Sequence, residues 1–445
     1  MQKTYSQILG ELLKIPCIDT HEHLRFVHMI NFDTLLEEPE KFQVDLRKVI
    51  SGLYMESVLN GAAAGAGLAN LDDRKSLLQA LRLCANTASY RCAVEIPLRD
   101  LYDFDANDLD EDSWDSLEAK IAERYKDGPW VWMQQVFRRA NIEKALKINV
   151  SPSYYEQTLA TLSPADLRIE QELLVGVGAT DFFVLHKPDP TEQALSQKSY
   201  QSLAEKYGVC LDDLDGFLAL IDKTIAHYRS LGACGLKSTA AYERTSHIDN
   251  VTAEEARKYY KQPNRELSAE ELKRFSDFTW IEVSRAAGRH DLPLQIHTGV
   301  MWTTGHLLAD ANPALMRGLL NNPELAQTKF VLLHTGYPYA RESVHLAWDL
   351  PNVWIDFVWL PTIGIEAGAN VLGEFLDWVP ANKFTLGGDF KLPEGVYGAM
   401  RQSIEVLALV LARKVDQGFW SMSQAVGIGR MVLRDNALQL YNLPN

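Results

Sequence analysis

Short apolar segments alternate along this chain with longer segments whose apolar residues recur at helical spacing. Each short segment has the length of one strand, and its content of Val, Ile, Leu and Phe is typical of strands buried on both faces. Parallel strands joined by helical crossovers produce this alternation. We predict eight strands, at 16–23, 142–150, 180–187, 233–242, 292–299, 329–336, 352–360 and 383–390.

Helical segments fill most of the intervals between these strands. Eight strand–helix units in one chain predict an α/β fold, the (β/α)8 TIM barrel. The stretch 166–177 is compatible with either a helix or a strand, so the positions of the second and third strands stay open. We predict helices at 211–231, 269–289, 313–320 and 340–349, with two C-terminal helices at 394–415 and 421–441 packed on the barrel.

Two crossovers are too long for one helix and predict insertions within a single domain, 1–445. The first insertion is a helical cap at about 25–130, and the second is a polar segment at about 243–268. The polar segment follows the fourth strand, where it could form a mobile lid over the barrel mouth. The glycine-rich stretch 61–67 follows no strand and matches neither nucleotide-binding fingerprint, so we expect a flexible loop there.

The composition of the chain indicates its cellular compartment and the classes of partner that it can bind. The net charge of −15 disfavours nucleic acid and anionic membranes as partners. The five cysteines are scattered, odd in number and without C-x-x-C spacing, which favours a reducing compartment over a disulfide framework. The N-terminal segment has the charges of an amphipathic helix rather than the apolar core of a signal peptide. We therefore expect a cytoplasmic protein with a small-molecule substrate, and the apolar cap segments could support a homo-oligomer.

Ionisable residues stand at the carboxyl ends of the predicted strands. His21 and His23 end the first strand, and because strand side chains alternate, both imidazoles point to one side. Barrel enzymes build their active sites on this face. Imidazole nitrogens and carboxylate oxygens are ligands for Zn²⁺ and similar ions, so the pattern predicts a metal site. The matching ends of the fourth, fifth, sixth and eighth strands carry Lys237, His297, His334 and Asp389.

These residues also have ordinary structural interpretations. His297 and His334 could be half-buried histidines with satisfied hydrogen bonds, and Asp389 could form a turn after the two glycines that precede it. Lys237 could be an exposed cation, a binding residue for an anion, or a carbamate that bridges two metal ions. The chain has only 11 histidines, and four of them at strand ends favour a metal site over random scatter.

The arrangement resembles the metal signature of the amidohydrolase superfamily: H-x-H after the first strand, a lysine or other ligand at the fourth, histidines after the fifth and sixth, and aspartate after the eighth. The chain is most similar to the amidohydrolase-2 type, and more distantly to uronate isomerases, which also carry a large helical insertion near the start. Segments 236–238, 333–339 and 387–389, with Glu394 and Tyr397, are similar to the amidohydrolase-like domain attached to some glutamine-synthetase-like proteins.

The resemblance implies a divalent metal, with Zn²⁺ favoured over Mn²⁺, as one ion or two. The metal ligands it implies are His21, His23, Lys237, His297, His334 and Asp389.

Three functions are compatible with this ligand set. Hydrolysis of a C–N or C–O bond in a small carboxylated molecule would use a metal-activated water, with Asp389 as general base and then general acid. His334 would polarise the substrate carbonyl or hold a second metal, and His297 would complete or flank the first. Isomerisation or decarboxylation at the same metal is the second function, and a non-catalytic binding module is the third. We favour hydrolysis.

Three further residues are candidates for substrate contacts because of their positions near the strand ends. Arg25 would pair with an anionic group through its planar guanidinium. Trp302 and Trp359 would form apolar or sugar-stacking walls. A surface arginine and two packing aromatics are the alternatives.

Overall fold

The computed structural model describes residues 2–24, 29–31, 34–35, 44–52, 54–149, 156, 159–184, 203–260, 267–302 and 306–444. Eight parallel strands form one sheet, and each strand pairs with the next in chain order. Their bounds are β1 Cys17–Glu22, β2 Ile142–Asn149, β3 Leu174–Ala179, β4 Gly235–Ser238, β5 Leu294–His297, β6 Phe330–Leu333, β7 Val353–Asp356 and β8 Phe384–Thr385.

Backbone hydrogen bonds between β1 and the segment that follows β8 close this sheet into a barrel. Thr20 N donates to Leu386 O at 3.1 Å, and Asp389 N donates to His21 O at 2.9 Å. The chain is therefore a (β/α)8 TIM barrel, as predicted. The closure matters for function because it brings the first and last strands, with their ionisable residues, side by side.

The barrel strands are short and almost completely buried, which agrees with their continuous apolar composition. Alternate strand residues form an inner apolar cluster that includes Ile18, Val177 and Leu333. The C-terminal segment joins this cluster through Leu438 and Tyr441. The end of the chain thus packs against the interior of the barrel.

Helices surround the barrel and fill the first crossover. The segment between β1 and β2 begins with a two-stranded ribbon, Met29–Asn31 with Thr34–Leu35. The helices that follow it are Leu46–Ser51, Tyr54–Ala66, Arg74–Cys84, Ala88–Tyr90, Ile96–Tyr102, Glu111–Tyr125 and Pro129–Ala140. Elsewhere the helices are Gln2–Leu12, Pro164–Leu173, Asp181–Val184, Leu214–Ser230, Ala253–Tyr259, Ala269–Arg289, Arg317–Leu320, Ala340–Asp349, Leu360–Ile363, Ile365–Trp378, Pro393–Asp416, Met422–Arg430 and Asn436–Leu440.

Two sequence-based expectations were wrong. The third strand is Leu174–Ala179, and the predicted strand 180–187 instead begins with the short helix Asp181–Val184. Gly178 explains part of this placement, because a Cβ there would lie 2.6 Å from the Tyr228 ring, so the ring packs directly on the strand backbone. The glycine-rich stretch 61–67 is helical up to residue 66 rather than a loop.

Within the described part of the chain, no helix is long and apolar enough to cross a membrane.

Candidate metal centre

Three side chains converge at the point where β1 meets the segment after β8. His23 Nε2 lies 3.3 Å from Asp389 Oδ1, and His21 Nε2 lies 3.7 Å from the same oxygen. One ligand atom from each of the three residues lies within 4.8 Å of the others. His21 and Asp389 are buried and His23 is partly exposed, so the group faces a restricted opening.

A glutamine on β5 determines which nitrogen of His21 is available. Gln295 Nε2 donates to Thr20 O at 2.9 Å and to Tyr441 Oη at 2.8 Å, so its Oε1 must be the acceptor for His21 Nδ1–H at 2.8 Å. The proton of the neutral imidazole is therefore on Nδ1. The lone pair on Nε2 faces Asp389, as a metal ligand requires.

His297 on β5 and His334 after β6 face each other, and each is a neutral imidazole with one bare ring nitrogen. His297 Nε2 lies 2.8 Å from Val300 O, and His334 Nδ1 lies 3.3 Å from Val358 O. Because a carbonyl can only accept, each histidine uses its single N–H there. His297 Nδ1 and His334 Nε2 are then two bare nitrogens 3.0 Å apart, an arrangement that a bound cation would satisfy. Burial lowers the pKa of both imidazoles well below the usual value and keeps them neutral.

Twin His-Thr-Gly turns produce this pairing. Thr298 Oγ1 donates to Leu333 O at 2.5 Å, and Val300 N donates to Tyr337 O at 2.7 Å, so the two turns are joined. Gly299 has a φ of +73°, and a Cβ there would lie 2.2 Å from Tyr337 O. Only glycine permits this approach. The repeated motif therefore holds the two histidine-bearing turns together.

Asp389 completes the group on a strained backbone. Its φ is +69°, in the left-handed region that few non-glycine residues adopt. Burial raises the pKa of its carboxyl group to about 6, and a hydrogen bond from the Tyr54 hydroxyl opposes this rise. Asp389 Oδ1 is buried and receives no hydrogen bond from the described residues. A buried carboxylate oxygen without a donor among the described residues, facing the bare Nε2 of His21 and the imidazole of His23, fits a divalent transition-metal ion.

Lys237 lies inside the barrel on β4 and is 2% exposed, so the interpretation as an exposed cation was wrong. Burial lowers the pKa of its ammonium group to about 8, while the carboxylates of Asp389, Asp181 and Asp356 oppose that shift. Lys237 also lies close enough to lower the pKa of His21 and of both paired histidines. Burial outweighs the carboxylates, so the neutral amine that a carbamate requires is more accessible than in an exposed lysine. An anion-binding ammonium and a bridging carbamate therefore both stay predictions for Lys237.

The comparisons with known proteins agree with this geometry. Residues 264–443 match the family model described as "Amidohydrolase". This part of the chain is similar to the amidohydrolase family. Protein fluG of Emericella nidulans is 34% identical over 154 residues, which are 34% of this chain and 17% of the fungal protein. The chain thus spans only a small part of that curated relative.

Two solved structures share the barrel fold along nearly the whole length of this chain. Uronate isomerase from Thermotoga maritima has a TM-score of 0.73 at 14% identity, covering 99% of this chain and 97% of that one. A protein from Lactobacillus casei, provisionally assigned as a metal-dependent hydrolase, has a TM-score of 0.63 at 18% identity, covering 98% and 97%. At these identities the likeness is one of fold.

The three residues predicted to contact the substrate differ in where the structure places them. Arg25 lies outside the described residues. Trp302 is half-buried at the mouth, where the Lys391 ammonium lies 4.8 Å from the centre of its ring. Trp359 is 5% exposed and packs between Tyr54, at 4.2 Å, and His334, at 5.1 Å. Its indole N–H is buried without an acceptor among the described residues.

The sequence reasoning missed three residues of the site. Gln295 lies two positions before His297 on β5, so the two-residue strand period could have found it. Lys391 lies two residues after Asp389 but beyond the end of β8, so only its nearness in the sequence could have indicated it. Tyr54 could not have been found in this way. It belongs to the helical insertion, and only the folded chain brings its hydroxyl group to Asp389.

Proposed function

We propose that this protein is a metal-dependent hydrolase that cleaves a C–N or C–O bond in a small anionic molecule. The observation that carries the proposal is the position of the Asp389 carboxyl group. Its Oδ1 faces His21 and His23 at 3.7 and 3.3 Å, and its Oδ2 lies 3.9 Å from His334 Nε2. One carboxylate can therefore face a metal with one oxygen and serve as a proton acceptor with the other.

His21, His23 and Asp389 would hold the ion, with Zn²⁺ preferred and Mn²⁺ as the alternative because nitrogen ligands dominate. When bound, the metal would lower the pKa of water from about 15.7 towards 7. Asp389 would accept the proton of the attacking water and return it to the leaving group. The Tyr54 hydroxyl would keep the carboxylate oriented while the proton is held there.

The charges at the mouth support an anionic substrate. Lys391 lies two residues after Asp389, and its ammonium helps to lower the pKa of that carboxyl group. A substrate carboxylate beside Lys391 would place its reacting bond near Asp389, with Trp302 as an apolar wall. The buried N–H of Trp359 would donate to a substrate oxygen.

Isomerisation or decarboxylation is the second candidate. The hydrogen-bonded pair of Tyr54 and Asp389 favours it, because such a pair can move a proton to and from carbon without any attack by water.

The experiment is a screen of N-acyl amino acids, lactones and hydroxy acids in H₂¹⁸O and in D₂O, with metal content measured in parallel. In H₂¹⁸O, hydrolysis places one ¹⁸O atom in the product. In D₂O, isomerisation places deuterium on carbon, and it forms no new bond to oxygen from the solvent. Asp389→Asn should lower turnover by about 100-fold or more. Asp222→Asn, on the outer helix Leu214–Ser230, should retain activity. Turnover by Asp389→Asn at the wild-type rate would contradict the mechanism, and no turnover with metal bound would favour a binding module.

A further inference from the structure

Two fully buried carboxyl groups on β1 hold the segment that carries Asp389. Asp19 Oδ1 accepts from Gly388 N at 3.1 Å and from His21 N at 3.2 Å. Glu22 Oε2 accepts from Phe390 N at 2.6 Å. Both side chains are 0% exposed. Each carboxyl group therefore accepts hydrogen bonds from backbone N–H groups at or next to the proposed metal ligands.

Three consecutive N–H groups of this segment are bound by β1. Between the bonds from Gly388 and Phe390, Asp389 N donates to His21 O at 2.9 Å. Regular strand pairing with β7 ends at Thr385, so this segment has no ladder on its other side to hold its conformation. Since Asp389 has a strained φ of +69°, the three bonds to β1 are what keeps its side chain directed at the histidines.

The two glycines before Asp389 make room for these carboxyl groups. A Cβ on Gly387 would lie 2.9 Å from Asp19 Oδ1, and a Cβ on Gly388 would lie 2.2 Å from Glu22 Oε1. The Gly-Gly-Asp motif is thus shaped around Asp19 and Glu22. The carboxyl groups and the segment fit together with no space for a side chain between them.

The second oxygen of each carboxyl group lies beside Gly388. Asp19 Oδ2 and Glu22 Oε1 are buried and receive no hydrogen bond from other described groups. A Cβ on Gly388 would lie 2.2 Å from Glu22 Oε1 and 3.3 Å from Asp19 Oδ2, so both oxygens line the same side of this glycine. An amide at position 22 would keep the size and shape of the side chain, and its oxygen would still accept from Phe390 N.

We propose that Asp19 and Glu22 are positioning residues that set the geometry of the metal ligands by fixing Asp389 relative to His21 and His23. The proposal rests on the metal site of the proposed function. Glu22, the residue between the two histidines of the H-x-H motif, would therefore contribute to the metal affinity of that site.

The test is a Co²⁺ titration of metal-free protein, followed by chelator competition and by the visible d–d spectrum. Glu22→Met keeps the length of the side chain but removes the acceptor, and should weaken Co²⁺ binding by about 10- to 100-fold and change the spectrum. Glu22→Gln should restore affinity and spectrum to near those of the wild type. Glu170→Met is the matched control. It removes a buried carboxylate, paired with Lys147 at 3.2 Å, and should lower stability with Co²⁺ affinity unchanged.

Wild-type affinity and spectrum in Glu22→Met would overturn the positioning role. If Glu22→Met does not fold, Gly388→Ala displaces the Glu22 carboxyl group without removing it and should give the same two changes. Loss of folded protein in both variants would assign the pair to folding and also overturn the proposal. Failure of the proposed metal site is distinguishable, because the wild-type protein itself would then bind no Co²⁺.

Discussion

Left-handed backbone conformations concentrate around the candidate metal centre. Among the described non-glycine residues with positive φ are His334 at 63°, Thr335 at 55°, Trp359 at 69° and Asp389 at 69°. All four are buried and lie at the carboxyl ends of barrel strands. Such conformations cost about 1–3 kcal/mol each and persist only where the surroundings hold them. This local strain directs the two ligand side chains and the neighbouring indole into one small volume.

The hydroxyl group of Tyr54, in the helical insertion, can be removed without disturbing the packing of its ring. Tyr54→Phe keeps the ring stacked on Trp359 at 4.2 Å but removes the hydroxyl group from Asp389. A hydrogen bond to a charged group contributes about 1.5–3 kcal/mol, so turnover should fall by roughly 10- to 100-fold with little change in melting temperature. Steady-state kinetics and calorimetry measure the two effects.

The control for this prediction is Tyr259→Phe, which removes a hydroxyl group bonded to Glu255 on a helix outside the site. Its turnover should match that of the wild type. A wild-type rate in Tyr54→Phe would mean that the hydroxyl group takes no part in the reaction.

At the scale of elements, one buried carboxylate receives hydrogen bonds from several helices of the insertion. Glu394 lies in the first turn of the helix Pro393–Asp416 and is 0% exposed. Its Oε1 accepts from Tyr102 Oη at 2.6 Å and from Trp132 Nε1 at 2.8 Å, and its Oε2 accepts from Tyr125 Oη at 2.9 Å. Three helices of the insertion therefore meet the helix that follows the Asp389 segment.

Glu394→Gln should destabilise the protein, because the amide removes the charge and places an NH₂ group where Tyr125 now donates. Loss of charge-assisted hydrogen bonds in a buried site should lower the free energy of unfolding by about 1–3 kcal/mol. Urea denaturation followed by fluorescence measures it. Glu366→Gln, at an exposed glutamate on a neighbouring helix, should change stability by less than about 0.5 kcal/mol. Equal effects of the two substitutions would show that the hydrogen bonds to Glu394 do not stabilise the protein.

At the scale of the whole molecule, the ligand set joins the two ends of the barrel sheet. His21 and His23 lie on β1, and Asp389 follows β8, so a shared ion would link the first strand to the last. A ligand that binds only the folded state stabilises that state in proportion to its affinity. The metal should therefore contribute to the stability of the closed barrel as well as to catalysis.

Removal of the metal with a chelator should lower the melting temperature of the wild-type protein, and Zn²⁺ should restore it. At a free metal concentration of 100 times Kd the stabilisation is about 2.7 kcal/mol. The variant His21→Ala with His23→Ala should melt at the same temperature with and without Zn²⁺. A wild-type melting temperature that does not respond to metal would contradict a site at these residues.

Much of the fold could be predicted because its signals are local. Buried parallel strands are continuous apolar runs, and seven of the eight predicted segments contain the observed strands β1, β2 and β4 to β8. The third strand was misplaced because Leu174–Ala179 contains two glycines and directly follows a helix, so periodicity does not separate the two elements. The extended segments 233–242 and 383–390 contain only short strands, because the turns at their ends serve the site rather than the sheet.

The sequence by itself determined which residues stand at the strand ends, since the two-residue strand period and the apolar runs fix their positions: His21, His23, Lys237, His297, His334 and Asp389. Tertiary structure decided how they meet. Which histidine nitrogen is bare depends on carbonyl and amide partners at Val300, Val358 and Gln295, each remote in sequence or set by a turn. The approach of Tyr54 from the insertion depends on helix packing. The contacts of Gln295, Val358 and Tyr54 join residues that are far apart in the sequence, so no local pattern encodes them.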